Sequence, residues 1–247
     1  MKILLLGDCH CPWANPKTLS KFFDYADNHG PWDLIIQLGD LLDFYSSSKF
    51  ARSHNVCTPA EELIWGREQA EEIWRILHKI DPKSKKVQLK GNHCDRPKKR
   101  LLEQEPSLEL LLDNQLRLLY TFDNVQTIHN SRQEYHYRGI VFLHGYRHKL
   151  GDHAVYNLQN TACAHTHRGG HVSFNYKDKI INELNAGFVA DRQAVPMRYS
   201  QQTYTKWTDG WGVWDDYGPR FIPVHHELVK GSKDESSDKD KVRLILP

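Results

Sequence analysis

Ile3 to Leu6 form a short aliphatic run that ends in Gly7-Asp8, and Leu34 to Leu38 repeat the arrangement before Gly39-Asp40. Continuous apolar runs of this length, bounded by polar loops, read as strands buried on both faces. Between them Pro16 to His29 predicts a helix, with a proline in its first turn and Gly30-Pro31 ending it. Thr58 offers an N-cap with Pro59 at the first helical position, and apolar residues recur at helical spacing up to Ile80. The stripe Trp65, Ile73, Trp74 and Leu77 on that helix reads as core packing, not as a stacking surface. Val87 to Leu89 predict a third strand leading to Gly91-Asn92-His93. Mostly helical sequence follows to about Leu119, interrupted at Pro106.

The second half changes character. Val125 to Ile128, Glu134 to Tyr137, Ile140 to Leu143, His171 to Tyr176 and Ile180 to Leu184 are short and rich in β-formers, with a turn at Lys177-Asp178. Trp211 to Asp215 and Phe221 to His225 flank Asp216-Tyr217-Gly218-Pro219, a hairpin signal. The pattern predicts an α/β domain over residues 1–229, with these later strands in a second, mainly antiparallel sheet. Residues 230–247 begin with KGSKDESSDKDK, which has no apolar side chain and predicts a polar, flexible tail.

Composition adds limits. A chain of 247 residues accommodates one full α/β domain. No stretch approaches the roughly 20 apolar residues of a spanning helix, and the four-residue run at the start lacks a cleavage site, so no membrane association is expected. Five cysteines at irregular positions predict reduced thiols and a cytoplasmic location. A net charge of +2 neither demands nor excludes a nucleic-acid partner, so any basic footprint must be local.

The chemistry-bearing residues sit where the predicted strands end. Asp8 and His10 are two apart, so in an extended backbone both would point to one side and grip one cation; a carboxylate with an imidazole suits manganese, iron or zinc. Alone the pair is weak evidence, since about one Asp-x-His is expected by chance in such a chain. Asp40 follows the second strand with Asp43 three residues on, and Asn92-His93 follows the third. His144 ends the run FLHGY, and His165 and His167 follow Thr161 to Ala164. Strand ends of an open α/β sheet gather along one edge, so these side chains can converge. Cys9 and Cys11 alternate with Asp8 and His10 and are expected to pack inward. His153 and His171 are weaker candidates for lining the site. His225-His226 is not expected to form a ligand pair, because adjacent strand residues face opposite sides.

Asp8-x-His10, Gly39-Asp40-x-x-Asp43, Gly91-Asn92-His93, His144 and His165-x-His167 together resemble the signature of calcineurin-like metallophosphoesterases, spanning residues 8 to 167. The resemblance implies a four-layer α/β/β/α sandwich of two mixed sheets flanked by helices, with two divalent metal ions near the sheet edge. Asp8, His10, Asp40 and His167 would hold the first ion, and Asp40, Asn92, His144 and His165 the second. Manganese is favoured, with iron, zinc, magnesium or nickel as alternatives. Two cations about 3.5–4 Å apart would activate a bridging water as the nucleophile. His93, resembling the family's catalytic histidine, would stabilise charge or protonate the leaving oxygen, with Asp43 orienting its ring. Cys94 departs from the usual acid after Asn-His, which here comes one position later as Asp95. Ala164 replaces a common glycine.

Basic residues cluster straight after the ligand segments: Arg96, Lys98 and Lys99 after His93, Arg147 after His144, and Arg168 after His167. Such clusters often are only a solvated face; read functionally they predict a rim holding phosphates that flank the scissile one. The expected activity is a phosphodiesterase or nuclease acting on DNA, RNA or nucleotides. Segments 39–46 and 91–96 resemble compact phage-type members of the family, which would place the protein in a host cytoplasm. The alternatives are a phosphomonoesterase acting on a small phosphate compound or phosphoprotein, and an inactive metal-binding module that contacts a partner through the tail after Val229.

Overall fold

The computed structural model describes residues 1–49, 56–108, 116–200 and 206–224. The 230–247 tail and the His225-His226 pair lie outside them. β1 (Ile3–Leu6), α1 (Pro16–His29), β2 (Leu34–Gln37), α2 (Pro59–Ile80), β3 (Lys85–Leu89) and α3 (Arg96–Leu102) form the first half. β4 (Gln126–Ile128), β5 (Tyr135–Tyr137), β6 (Ile140–Phe142), α4 (Asp152–Asn157), β7 (Asn160–Cys163), β8 (Gly170–Tyr176), β9 (Lys179–Asn185), β10 (Gly210–Asp215) and β11 (Gly218–Pro223) follow. One sheet has six strands in the order β11-β10-β1-β2-β3-β4, and the other has five in the order β5-β6-β7-β9-β8. Both are mixed.

Strand alternation explains the layers. Leu4, Leu6 and Ile35 pack outward against Phe22, Ile73, Trp74 and Leu77 of α1 and α2. Ile3, Leu5, Leu34, Ile36 and Val87 point the other way, where they meet Phe142, Ala162 and Leu184 of the second sheet. Beyond that sheet Val141, Leu143 and Cys163 form a small cluster, and the six-residue α4 lies against β7 and β9. The α/β sandwich is as expected, with a thin outer layer on this side.

The helix starts follow the predicted chemistry. Thr58 and Glu61 form a reciprocal capping box at α2, with Pro59 inside the first turn. At α1 the side chain of Asn15 accepts from the Lys17 and Thr18 N–H groups. All five cysteines are free thiols; Cys9 and Cys11 lie in the core behind the first sheet, as predicted. No helix among the described residues is long and apolar enough to cross a membrane.

Three expectations are corrected. The second sheet is not mainly antiparallel: β6 with β7 and β7 with β9 are parallel, and only β5–β6 and β8–β9 are antiparallel. β4 belongs to the first sheet, parallel to β3, and the β10–β11 hairpin joins that sheet through β1. The hairpin turn is also tighter than the sequence signal implies, because Asp215 already pairs with Gly218 across Asp216-Tyr217.

Candidate metal centre

β1, β2, β3, β6 and β7 each run into a loop that carries one element of the site. β1 ends at Leu6 and β2 at Gln37, so Asp8, His10 and Asp40 lie beyond regular strand. The loops are tied together by His10 N–H to Asp40 C=O (2.9 Å), Cys11 N–H to Leu41 C=O (2.7 Å) and Asp43 N–H to Cys11 C=O (3.0 Å). The extended geometry predicted for Asp8-x-His10 is not what brings them together. His10 adopts φ 51°, Asp40 φ 51°, His165 φ 70° and His167 φ 58°, all in the left-handed region. Such backbone costs about 1–2 kcal/mol per residue for an ordinary side chain and concentrates at functional sites. Two glycines make room. A Cβ on Gly91 would sit 2.1 Å from Asp40 Oδ1, and one on Gly39, at φ 101°, would sit 2.5 Å from His144 Nδ1.

The side chains form overlapping groups. Ligand-type atoms of Asp8, His10 and His167 lie within 4.8 Å of one another, as do those of His10, Asp40 and His93, and those of Asp40, His144 and His165. His10 Nε2 faces His167 Nε2 at 3.1 Å. Asn92 Oδ1 lies 2.9 Å from His144 Nε2 and 2.9 Å from His165 Nδ1. His144 Nε2 is also 3.1 Å from Asp40 Oδ2, while its Nδ1–H donates to Leu38 C=O at 2.9 Å, so Nε2 is the nitrogen turned to the site. Every member expected from the sequence is present, and Asp40 stands between the two outer groups.

Electrostatics shows what is missing from the protein's own contacts. Asp8 is fully buried, yet among the described residues neither carboxylate oxygen accepts a hydrogen bond of ordinary geometry. Burial, with Asp40 nearby, pushes its carboxyl up to about 7 despite His144 and His10. An unpaired buried carboxylate is expensive, and a cation among Asp8, His10 and His167 would supply the lost solvation. The donor set fits a divalent metal. Against the cost of burial, the His144 and His93 rings hold Asp40 well below the usual carboxylate range. Burial and the neighbouring His144 lower His165 to about 4, and burial with His10 lowers His167. Neutral imidazoles are what metal ligation requires; His165 and His167 already meet this, whereas against the cost of burial Asp43 raises His10 and Asp40 raises His144 to about 9, so a cation would displace a proton from those two rings.

His93 is set apart within this cluster. Its Nδ1–H donates to Asp43 Oδ1 at 2.6 Å, its backbone N–H donates to Asp40 Oδ1 at 2.9 Å, and the Arg96 guanidinium donates to its Nε2 at 2.9 Å. A guanidinium at that distance disfavours a cation on the same nitrogen. Burial lowers the pKa of His93. Asp43 serves two rings at once, because His10 Nδ1 lies 2.8 Å from the same Oδ1. These rings hold the Asp43 carboxyl below its ordinary range against the cost of burial.

Several supports had no local sequence signal. Glu62 of α2 is buried and accepts from the Tyr45 (2.5 Å) and Ser46 (2.8 Å) N–H groups, fixing the turn after Asp43. Asn185 donates to Ala164 C=O at 2.8 Å and Thr166 Oγ1 at 3.1 Å, holding the His165–His167 loop. Phe188 and Trp207 pack on the His167 ring, each at a centroid distance of 4.5 Å. His153, a weaker candidate for lining the site, is buried instead with its Nε2 accepting from Tyr146 N–H (3.1 Å) and Arg147 N–H (3.2 Å). His171 sits at an exposed position on β8, in none of the metal-type groups among the described residues. Asp95 pairs with Lys90 at 2.8 Å and accepts from Ser131 Oγ at 2.7 Å, so the acid displaced by Cys94 braces a loop.

His153, Cys163 and Glu183 form one further buried group with metal-type donors. Glu183 is already committed: Oε1 accepts from Gly151 N–H, and Oε2 from the His153 and Ala154 N–H groups, all at 2.8 Å. Against the cost of burial, the His153 side chain and these backbone N–H groups hold its carboxyl below the usual range. Glu183→Gln places an amide N–H₂ against one set of these donors and is expected to cost about 3 kcal/mol at neutral pH. A depressed folded-state pKa means the carboxylate's contribution is complete above the ordinary glutamate value of about 4.3 and fades below it. Urea unfolding of both proteins should therefore show a gap that narrows as pH falls through that value; a constant gap would contradict the assignment.

The predicted basic rim divides. Arg96 reaches inward, with one N–H donating to Asp43 C=O at 3.0 Å and another to His93. Arg96, Lys99 and Arg100 border a cleft of about 510 Å³ that also includes Ser47, Ser48 and Asn92, so it opens beside the cluster. Lys98 follows on α3, half-buried and outside that lining. Arg147 is engaged elsewhere, with its guanidinium 4.4 Å from the Tyr156 ring centre. Arg168 is half-buried beside His167.

The sequence model of one protein family, calcineurin-like phosphoesterase, matches residues 1–168. A search of curated proteins gave no match.

Proposed function

The chain belongs to the calcineurin-like phosphoesterase family, whose match covers more than half its length, and on that premise we propose that its metal-dependent hydrolysis is directed at phosphodiesters of nucleic acid or nucleotides. The cleft beside Asn92 carries this reading. It is about 510 Å³ in volume and bordered by Lys49, Arg96, Lys99 and Arg100 against one acid, Glu103, which pairs with Arg100, so it offers space and net positive charge for the part of a substrate beyond the scissile phosphate. A small monoester has no such part.

In this reading Asp8, His10, Asp40 and His167 hold one divalent cation and Asp40, Asn92, His144 and His165 the other. Mixed nitrogen and oxygen donors suit manganese, the metal we propose. When bound, the cations supply Lewis-acid polarisation of the phosphoryl group and an activated water. Asp40 would be the ligand common to both. His93 presents Nε2 to the substrate, with Nδ1–H anchored on Asp43; once Arg96 leaves that nitrogen it would take up a proton from solvent, balanced by the Asp43 carboxylate, and pass it to the leaving oxygen. Arg96, 2.9 Å from that nitrogen, turns to a phosphoryl oxygen when substrate enters. The ionised Asp43 offsets the charge gathered on His93 and Arg96.

The test compares bis(p-nitrophenyl) phosphate, p-nitrophenyl phosphate and a short single-stranded DNA in Mn²⁺. Preferred turnover of the two diesters is the expected result. Turnover of the monoester alone would overturn the diester reading and favour a phosphatase.

A further inference from the structure

Nine large hydrophobic side chains are exposed among the described residues, and four of them, Tyr146, Val155, Tyr156 and Leu158, fall in one short segment. That segment starts at His144 of the metal cluster. Clustered exposed apolar surface marks a contact site more often than scattered residues do. The arrangement here is specific. The Arg147 guanidinium lies 4.4 Å from the Tyr156 ring centre and 5.3 Å from that of Tyr146, so three flat groups gather together. Tyr156 remains 65% exposed and Tyr146 54% exposed with the guanidinium already in contact.

The group is held rigidly and close to the site. Both the Tyr146 and Arg147 N–H groups end on His153 Nε2, and the Tyr146 ring meets the His153 ring edge to face at 5.0 Å. The His148 ring packs against His165 at 5.9 Å. Tyr146 is two residues from His144, so their Cα atoms are within about 7.6 Å. Charge points to the occupant: residues 144–158 contain Arg147 and Lys149 against a single acid, Asp152. A flat, electron-rich and cationic surface beside a phosphoester site matches a nucleobase whose own phosphate lies at the metals.

We infer that Tyr146, Arg147 and Tyr156 form a stacking platform for a nucleobase adjoining the scissile phosphate, so that the substrate is a single-stranded polynucleotide or a nucleotide ester with an accessible base. This rests on the diester reading above. It gives Arg147 a role on the base in place of the phosphate contact expected from its position in the sequence.

Two substrates that release the same p-nitrophenolate isolate the base: the p-nitrophenyl ester of thymidine 5′-phosphate and methyl p-nitrophenyl phosphate. The wild type should show the higher kcat/KM on the thymidylyl ester. In Tyr156→Ala and Tyr146→Ala the ratio of kcat/KM for the two esters should fall about 5- to 150-fold, mostly through KM, the range for losing one stacked base. Tyr156→Phe, which keeps the ring, should hold the ratio. An unchanged ratio in both alanine variants, or no preference in the wild type, overturns the platform while leaving diester hydrolysis in place. Turnover of neither ester, with p-nitrophenyl phosphate hydrolysed, removes the diester reading itself and this inference with it.

Discussion

Asp40→Asn is expected to lose both cations and to cut phosphoester turnover by more than about 100-fold while the protein stays folded. Asparagine tolerates the φ of 51° at this position as aspartate does. It also keeps an oxygen for the His93 N–H, which donates to Oδ1 at 2.9 Å. The change falls on the other oxygen, 3.1 Å from His144 Nε2. There an amide N–H₂ would donate to the nitrogen that the proposed second cation needs, so one substitution removes a bridging charge and blocks a neighbouring ligand. Even residues that only support a metal ligand cost 10–100-fold in affinity or activity, roughly, when changed. Elemental analysis after dialysis, with thermal unfolding of the metal-free protein as control, checks this. Manganese near two per chain in the variant would sink the bridging role.

His93→Ala should behave differently, lowering kcat by about 10²- to 10⁴-fold, the usual range for a general acid or base, with metal content unchanged. The difference arises because His93 Nε2 is engaged by the Arg96 guanidinium and Nδ1 by Asp43, leaving no nitrogen for a cation. The loss should be largest for esters with poor leaving groups, such as DNA, and smallest for p-nitrophenyl esters, whose leaving oxygen needs little protonation. A uniform loss across leaving groups would argue for charge stabilisation over proton transfer. Full activity would remove His93 from the chemistry.

The candidate site residues could be picked out because they follow short strands: Ile3–Leu6 and Leu34–Gln37, with plain apolar runs, and Lys85–Leu89 end within a residue or two of where the sequence puts them. How the side chains converge was not legible. Alternation along an extended strand suggested that Asp8 and His10 share a face, whereas left-handed turns at His10 and Asp40 aim them. Periodicity is silent about a reversal made by one φ angle. The same silence hid the sheet assignment of Gln126–Ile128, since three residues carry too little pattern to choose a partner, and that of the six-residue helix Asp152–Asn157. Glu183 gave no signal either. A glutamate within a strand reads as solvent-facing, and the N–H groups of Gly151, His153 and Ala154, some 30 residues earlier, help make its burial tolerable.

The single oxygen of Asp43 that meets both His10 and His93 joins two properties that selection would otherwise tune separately. A substitution that makes His93 a stronger acid by weakening this carboxylate also makes the His10 imidazole a poorer donor. With His93 and His10 in the roles proposed above, gains in leaving-group activation would be drawn against grip on the metal. Variants of this enzyme adapted to less reactive esters should carry paired changes, one near His93 and a compensating one near His10, rather than independent improvements at either ring.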